Sequence, residues 1–482
     1  MGTLETKAKT GLIWSSVDKF STLVIQFILG IVLARILLPE DYGLIGMITV
    51  FMAISQSLID SGFVAALVQK KNVTDRDYST VFFFNILVGI SLYLILFFSA
   101  STIAKFYNEP LLIDLLRVIG LNIIVIATSL IHRAILTTRI DLKTQAIANV
   151  SSALIAGVLG IYLALNGYGV WSLVYQYLTR NILMTLMFWL LNNWKPLLVF
   201  DGQSFKGLFN FGSKLMLSDL LRVTFDNIYL IIIGKIYKAE ELGFFTRATL
   251  FKQVPGTLLT TILQSVTFPI LVKVIADDSK VKKLLKRSVR LTGFLLFPII
   301  ISILFFAKPL ILVLLTEKWL PTVLLLQILS LEIIFFPLKH INLNFLSAKG
   351  RSDLFLKLEL IKHVLTVLVI LVTFKFGLLA MTIGYVLVSF LSFFINTYYT
   401  HKYIQYSAIE QLKNLLPYAV TSIFVGYVSF ISSNFFSGNL LQLVFGVLVN
   451  MILYVTISHF LKFEEYLEVK NLVLDKLKIK EN

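Results

Sequence analysis

The chain has 482 residues and a net charge of +16, and 57% of its residues are hydrophobic whereas only 15% are charged. Soluble proteins carry about 25% charged residues, so this composition excludes an ordinary soluble protein and indicates a membrane protein. Cysteine is absent, which excludes disulfides, thiolate metal sites and a cysteine nucleophile. We expect neither a metal nor an organic cofactor.

Apolar runs of roughly twenty residues, each long enough to cross a bilayer, follow one another with short breaks. The first run begins after Lys7 and Lys9 and is too long for the core of a signal peptide, so it is predicted to be a retained span. Pro298 and Pro309 interrupt a later run and either end a span or bend it. The predicted spans are fourteen in number, at 11–34, 44–67, 79–103, 112–132, 146–166, 169–191, 208–233, 243–271, 289–307, 321–347, 354–374, 377–400, 414–434 and 440–461.

The basic residues of the loops are distributed unevenly between the two sides of the membrane. With the N-terminus inside, the inner segments hold 27 Lys and Arg residues and the outer segments hold 7. This bias follows the positive-inside rule and predicts that both termini are cytoplasmic. The positive net charge is therefore largely a topology signal and a source of contacts with anionic lipid headgroups, and it indicates no nucleic acid binding. The most charged inner segment, 272–290, is predicted to be an amphipathic linker on the inner surface.

One segment recurs at an offset of 200 residues. Leu33–Gly43 is matched without a gap by Ile233–Gly243, with aliphatic, basic, acidic and glycine positions kept in place. Six predicted spans separate the copies, so both enter the membrane in the same direction, which is typical of a parallel repeat with the substrate path between two lobes. The predicted fold is all-α, with an N-terminal lobe at 1–200 (spans 1–6), a C-terminal lobe at 201–402 (spans 7–12), and two further spans with a cytoplasmic tail at 403–482.

Nine basic residues remain inside the predicted spans once Arg290 and Lys357, at span ends, are counted with the inner segments. A charge facing lipid at the bilayer centre would cost about 2.5–3.5 kcal/mol. Such residues must snorkel to the surface, pair with acids or line a water-filled cavity. Snorkelling is favoured for those near span ends, which are Arg117, Lys214, Lys339 and Lys362. The candidates for a cavity are Lys19, Arg180, Arg222, Arg247 and Lys252. This excess of cations favours a substrate with an anionic group, such as a phosphate or diphosphate.

Acidic residues lie at comparable depth, and they include Asp18, Asp60, Asp219, Asp226 and Glu332. Asp18 and Lys19 are adjacent, hence about 100° apart on a helix, so their partners are predicted to lie on other helices. Arg222 and Asp226 have the i,i+4 spacing and either pair with each other or face a cavity. The sequence contains no metalloprotease, phosphate-loop or serine-hydrolase motif, so nothing in it indicates hydrolysis.

Several short motifs, taken together with their order and spacing, resemble those of one family of membrane proteins. They are Gly11–Ser16, Val32–Leu37 with Tyr42–Leu44, Gly62–Phe63 with Leu67–Lys71, Phe211–Gly212, Tyr237–Lys238 with Gly243–Ala248, Val266–Pro269, Glu317–Trp319 and Ala348–Asp353. Over essentially its whole length the chain resembles the Wzx-type polysaccharide flippases of the MOP exporter superfamily. It looks most similar to the colanic-acid-type branch.

The resemblance implies a MATE-like fold with a cationic cavity between two lobes. It also implies translocation of an undecaprenyl-diphosphate-linked oligosaccharide from the inner to the outer leaflet of a bacterial cytoplasmic membrane, by alternating access coupled to H⁺ or Na⁺ and without enzymatic chemistry. Polymerase and chain-length proteins of the same pathway are the expected protein partners. Substrate-binding candidates, assigned by span and depth, are Lys19, Arg180, Arg222, Arg247 and Lys252. Asp18 and Asp60 are the candidates for the coupling ion.

Other functions remain open from the sequence alone. The chain could be a lipid II flippase, whose substrate shares the diphosphate, or another exporter of the same superfamily. A membrane-bound polysaccharide polymerase or ligase is disfavoured, because such enzymes commonly use a large outer loop and every predicted outer loop here is short. Under the flippase hypothesis, Arg247→Gln or Lys252→Gln is predicted to abolish surface polysaccharide without lowering the amount of protein in the membrane.

Overall fold

The structure is a computed structural model that describes residues 2–60, 62–70 and 73–478. Within these ranges the chain is helical apart from short connections. The α-helices are α1 (Gly2–Ile36), α2 (Pro39–Asp60), α3 (Phe63–Gln69), α4 (Asp75–Tyr107), α5 (Leu112–Ile119), α6 (Leu121–Thr138), α7 (Leu142–Leu165), α8 (Val170–Leu191), α9 (Gly202–Asp226), α10 (Ile228–Ile236), α11 (Ala239–Val274), α12 (Asp278–Leu314), α13 (Thr322–Ser330), α14 (Phe335–Ala348), α15 (Ser352–Thr373), α16 (Gly377–Ile404), α17 (Ala408–Ser433), α18 (Asn439–Phe460) and α19 (Glu464–Lys478).

The predicted spans coincide with these helices or with consecutive pairs of them. In the described part of the chain, ten helical segments are long and apolar enough to cross a membrane, which confirms an all-α multi-pass membrane protein. The helices α8, α9 and α11 also coincide with predicted spans but are not among the ten. α9 is the clearest case, because Lys214, Asp219, Arg222 and Asp226 lower its hydropathy. The total of fourteen crossings remains a prediction.

The segment 272–290 is not a separate surface linker, and that prediction is wrong. α12 runs unbroken from the charged residues through Pro298 and Pro309 to its end, so most of the charged segment forms the first turns of a membrane-length helix. Membrane helices tolerate internal prolines because neighbouring groups satisfy the freed backbone carbonyls. At the N-terminus of α12, the backbone N–H and the ammonium of Lys280 hold the pKa of Asp277 below its usual range.

Acidic side chains of α17 and α19 pair with these charged turns of α12. Lys282 lies 3.1 Å from Glu410 on α17, and Arg290 lies 2.8 Å from Glu464 on α19. Lys and Arg are good helix formers, and with partners available they extend a helix instead of ending it. The run of charges therefore marks the end of the apolar part of α12, whereas the helix itself continues through the charged residues.

Two compact units make up the chain, Met1–Gly243 and Phe244–Asn482. In the first unit, α1 packs against α7, α7 against α8, and α4 against α6. In the second, α12 packs against α17 and α18, and α14 packs against α16. The lobes predicted at 1–200 and 201–402 follow the sequence repeat and remain a prediction.

The two copies of the repeated segment contact each other within the first unit. A Cβ atom added at Gly43 would lie 1.7 Å from the backbone oxygen of Ala239, and one added at Gly243 would lie 1.9 Å from the backbone oxygen of Pro39. Pro39 and Ala239 occupy equivalent positions of the repeat, so the contact is reciprocal. Only glycine allows backbones to approach this closely, which explains why both copies keep it.

Candidate functional site

A polar cluster in the first unit surrounds Asp18, which lies half-buried on α1. Its carboxylate accepts hydrogen bonds from the Asn149 amide on α7 at 3.0 and 3.2 Å, and from the Thr22 hydroxyl at 3.3 Å. Arg180 on α8 is near enough for its charge to act on the carboxylate. With the Gln26 amide oriented so that its oxygen faces Arg180, that oxygen accepts a hydrogen bond from the guanidinium at 3.1 Å. Asp18 and Arg180, two predicted site residues, are thus brought together.

The prediction that Asp18 finds its partner on another helix is confirmed by the bond from Asn149. Lys19, the next residue along α1, is exposed. This difference follows from helix geometry, because adjacent side chains point about 100° apart. Asp18 and Lys19 therefore present charge to different surroundings, and a shared role in binding one ligand does not follow from their adjacency.

A second polar cluster joins α2 and α9. Asp219 accepts a hydrogen bond from the Ser57 hydroxyl at 2.7 Å and forms an ion pair with Arg222 at 2.5 Å. Arg222 also pairs with Asp226 at 2.9 Å, so the i,i+4 pairing left open by the sequence is formed. Asp60, half-buried at the end of α2, lies within electrostatic reach of Asp219. The Arg222 side chain is still 62% exposed, and an exposed charge on a membrane helix needs water or a ligand beside it.

Lys252 on α11 lies in a buried ion cluster of the second unit. Its ammonium is 3.2 Å from Glu332 Oε2 and donates to the Tyr385 hydroxyl at 3.0 Å. Lys339 Nζ lies 3.2 Å from Glu332 Oε1 and donates to Ser389 Oγ at 2.6 Å. The Ser389 hydroxyl in turn donates to Glu332 Oε1 at 2.7 Å. These five residues, called the lysine–glutamate cluster below, leave only 5% of the Lys252 side chain and 3% of the Glu332 side chain exposed.

The sequence does not identify this cluster as a unit. It predicts that Lys339 snorkels to the surface, but its ammonium instead faces inward to Glu332 and Ser389, which corrects that prediction. The spacing of seven residues between Glu332 and Lys339, two helical turns, is the signal that could have related them. Arg247, five residues before Lys252 on α11, is half-buried. Its role in substrate binding remains a prediction.

Both units therefore hold ionic groups inside helices of membrane-spanning length. Among the described residues, no three His, Asp or Glu side chains are grouped so as to hold a metal ion. The three clusters offer hydrogen bonds and fixed charges, which bind and exchange ions or charged ligands. Such groups within a multi-pass helical protein are typical of membrane transporters, although other membrane proteins hold them as well.

Comparison with known proteins gives the family. A family model described as "Polysaccharide biosynthesis protein" matches residues 32–324, which is more than half of the chain. The chain belongs to this family of polysaccharide biosynthesis proteins, and the resemblance to Wzx-type proteins is confirmed.

Three relatives from bacteria show what the family includes. The teichuronic acid biosynthesis protein TuaB of Bacillus subtilis is 25% identical over 359 residues, which cover 73% of this chain and 74% of the relative. The succinoglycan biosynthesis transport protein ExoT of Rhizobium meliloti is 25% identical over 307 residues, covering 64% and 62%. The lipopolysaccharide biosynthesis protein WzxC of Escherichia coli is 23% identical over 393 residues, covering 81% and 80%.

Solved structures show the fold. The lipid II flippase MurJ in an inward closed conformation matches with a TM-score of 0.78 at 16% identity, covering 94% of this chain and all of that one. An inward-facing multidrug MATE transporter of the MOP superfamily matches with a TM-score of 0.63 at 15% identity, covering 82% and 98%. At these identities the likeness establishes a MurJ- and MATE-like fold and nothing about the substrate.

Proposed function

We propose that this protein is a flippase for an undecaprenyl-diphosphate-linked oligosaccharide. It would move the repeat unit from the inner to the outer leaflet of a bacterial cytoplasmic membrane during synthesis of O-antigen, capsule or exopolysaccharide. The observation that carries the proposal is the family match over residues 32–324 in a chain with a transporter fold. Relatives named for the biosynthesis or transport of three surface polysaccharides support the same step.

The diphosphate is the part of the substrate that needs charged partners. Lys19 and Arg222 are exposed and Arg247 is half-buried, so a phosphate group could approach each of them. Arg222 would then share its charge between the phosphate and its two aspartate partners. An Arg side chain also has the geometry for bidentate hydrogen bonds. The glycan would contact neutral polar and aromatic groups, while the polyprenyl chain stays in lipid. An inside-negative membrane potential favours export of an anion by about 2.3 kcal/mol per charge per 100 mV.

Resetting the empty carrier requires a coupling ion in this proposal. Asp18 is the better supported of the two candidates, because Asn149 and Thr22 fix its carboxylate while it stays half-buried. Asp60 is the second candidate, beside the ion pairs of α9. The proposed cycle is alternating access driven by H⁺ or Na⁺.

Lys252 is buried, unlike Lys19, Arg222 and Arg247. Its ammonium is engaged by Glu332 and Tyr385 and is buried, so a substrate phosphate reaches it only if the lysine–glutamate cluster opens. Lys252→Gln would also remove a counter-ion from a buried carboxylate, which is strongly destabilising. Loss of transport in that variant would not distinguish substrate binding from folding.

Arg247→Gln and Lys19→Gln are therefore the variants that test the cationic site. Each replaces a cation with a shorter, neutral side chain that still donates hydrogen bonds. Surface polysaccharide should therefore fall by at least about tenfold at an unchanged amount of membrane protein, as expected for a charged hydrogen bond of roughly 1.5–3 kcal/mol. Lys105→Gln, near the C-terminal end of α4 where the side chain is exposed, is the matched control and should leave surface polysaccharide unchanged. Normal polysaccharide in both test variants would contradict the cationic site.

A lipid II flippase is the second candidate function, because that substrate shares the diphosphate and the fold is that of MurJ. Complementation of a strain depleted of its peptidoglycan flippase separates the two. Growth of the depleted strain would favour lipid II, whereas loss of a surface polysaccharide on deletion, without complementation, would favour the proposed substrate. Glycosyl transfer by the purified protein would instead indicate a polymerase or ligase.

A further inference from the structure

Burial of the lysine–glutamate cluster is costly, because each ion loses its hydration and mutual attraction offsets this loss only in part. The cluster holds two ammonium groups and one carboxylate, so it carries a net charge of +1 inside the second unit. Ionisable groups kept at such positions in membrane proteins are usually functional. The arrangement of oxygen atoms around the two ammonium groups indicates which kind of ligand this cluster suits.

Four oxygen atoms from two places in the chain face the two ammonium groups. Glu332, between α13 and α14, contributes both carboxylate oxygens, and α16 contributes the hydroxyls of Tyr385 and Ser389. Each ammonium lies against one carboxylate oxygen and one hydroxyl oxygen. For Lys252 the distances are 3.2 and 3.0 Å, and for Lys339 they are 3.2 and 2.6 Å.

Carboxylate and hydroxyl oxygens are the ligands that hard cations prefer. An ammonium has the same charge as an alkali metal cation and makes similar contacts with oxygen, but it is covalently tethered. A tethered group competes at a high effective concentration against a free ion. The lysines can therefore fill a cation position permanently and exclude the free ion.

We propose that the lysine–glutamate cluster is an alkali-cation site occupied by lysine side chains, and that removing the Lys339 ammonium converts it into a Na⁺ site. Lys339 is the more accessible of the two, with 19% of its side chain exposed. In Lys339→Met, Glu332 Oε1 and Ser389 Oγ lose the ammonium that they face, whereas Lys252 still faces Glu332 Oε2. The net charge of the cluster falls from +1 to zero. Bound Na⁺ then restores the net charge of +1.

The location of the coupling-ion site follows from this occupancy, provided that the proposed function holds. If lysines fill the cation position of the second unit, a coupling ion binds elsewhere, and the Asp18 cluster of the first unit is available for it. The site itself is tested on purified protein without any glycan. Failure of the site and failure of the transport function are therefore separate outcomes.

The test measures Na⁺ binding and thermal stability of the full-length protein in detergent, with choline replacing Na⁺ at constant ionic strength. Lys339→Met should bind ²²Na⁺ saturably, and its Tm should rise by roughly 3 °C or more at saturating Na⁺. All proteins in this test also carry Asp18→Asn, so that Na⁺ bound at the Asp18 cluster does not contribute. In this background the protein with both lysines should show neither effect. The double variant Lys339→Met with Glu332→Gln lacks the carboxylate and should also show neither.

A second variant covers the case in which Lys339→Met does not fold. Lys339→Gln removes the same ammonium but keeps a polar side chain beside Glu332 and Ser389, and it should likewise gain Na⁺-dependent stability. Absence of a Na⁺ effect in the folded lysine variants would overturn the proposal. Saturable Na⁺ binding by the protein with both lysines that is lost in Glu332→Gln would overturn it as well, because the position would then be open to the free ion.

Discussion

Asp18 combines a formal charge, partial burial and fixed hydrogen-bond donors in a single side chain. The Asn149 amide and the Thr22 hydroxyl hold its carboxylate, while the charge of Arg180 acts on it from α8. A carboxylate positioned in this way can gain a cation with little rearrangement. Movement of the neighbouring helices would change the strength of that binding.

Asp18→Asn tests the coupling role at the residue scale. The substitution keeps size and hydrogen bonding but removes the charge that a coupling cation needs. Coupling free energies of about 1–3 kcal/mol correspond to roughly 5- to 150-fold, so we expect transport to slow within this range and to lose its response to an imposed H⁺ or Na⁺ gradient. The measurement is the rate at which the lipid-linked oligosaccharide changes leaflet in vesicles, with and without the gradient. Asp75→Asn, at an exposed helix start, is the control.

If transport by Asp18→Asn depended on the gradient as strongly as transport by the wild type, Asp18 would not bind the coupling ion. Asp60 would then be the residue to test.

Residue types inside spans could be predicted from the sequence, because charges in apolar runs are conspicuous. Their partners could not, since Asn149 is 131 residues from Asp18 and Ser389 is 57 residues from Glu332. Only the pair of Arg222 with Asp226 could be predicted, because the two residues are four apart on one helix. The structure shows that Arg222 also forms an ion pair with Asp219. Long-range pairing depends on which helices pack together, which a single sequence does not specify.

At the scale of helices, the reciprocal glycine contact links the first turns of α2 and α11. Both glycines follow the repeated acidic positions, so the sequence repeat indicates that the position matters. The reason emerges only from the structure, where each glycine faces the backbone of the other copy. A side chain there meets backbone atoms, which cannot turn away as a flexible side chain can.

Gly43→Ala should therefore force the two helix starts apart. The added Cβ would lie 1.7 Å from the Ala239 oxygen, so the cost should reach or exceed the roughly 1–3 kcal/mol typical of overpacking. We expect a lower Tm in detergent. Gly207→Ala on α9 is the matched control, because nothing lies within 4 Å of its added Cβ. A Gly43→Ala protein as stable as the wild type would contradict the close contact.

Helix existence was predicted well from the sequence, because long apolar runs give a strong signal, whereas helix ends were not. A run of charges such as 272–290 is typical of a linker, but most of this segment belongs to α12. Those charges are stabilised in α12 by acidic residues of α17 and α19, more than a hundred residues later in the chain. The proline-containing stretch 289–320 was ambiguous for a related reason, since a membrane helix tolerates proline without ending.

At the scale of the whole molecule, the family match, the MurJ- and MATE-like fold and the charged clusters support the proposed transport step in polysaccharide synthesis. The charged groups are distributed asymmetrically between the two units. In the first unit the hydrogen-bond donors of Asp18 are neutral and Arg180 acts on it through its charge, whereas in the second unit two lysines pair directly with the carboxylate of Glu332. Under the proposed function, the two units would therefore take different parts in the transport cycle.

The most direct test of the proposed function uses purified protein in vesicles that contain a fluorescent undecaprenyl-diphosphate-linked oligosaccharide. A membrane-impermeant glycosidase or quencher then reports how much of the lipid faces outward over time. The proposal predicts that wild-type protein makes the inner-leaflet lipid accessible much faster than protein-free vesicles do, and that Arg247→Gln does not. Exchange no faster than in protein-free vesicles, from folded protein given its ion gradient and its own organism's lipid, would contradict a flippase.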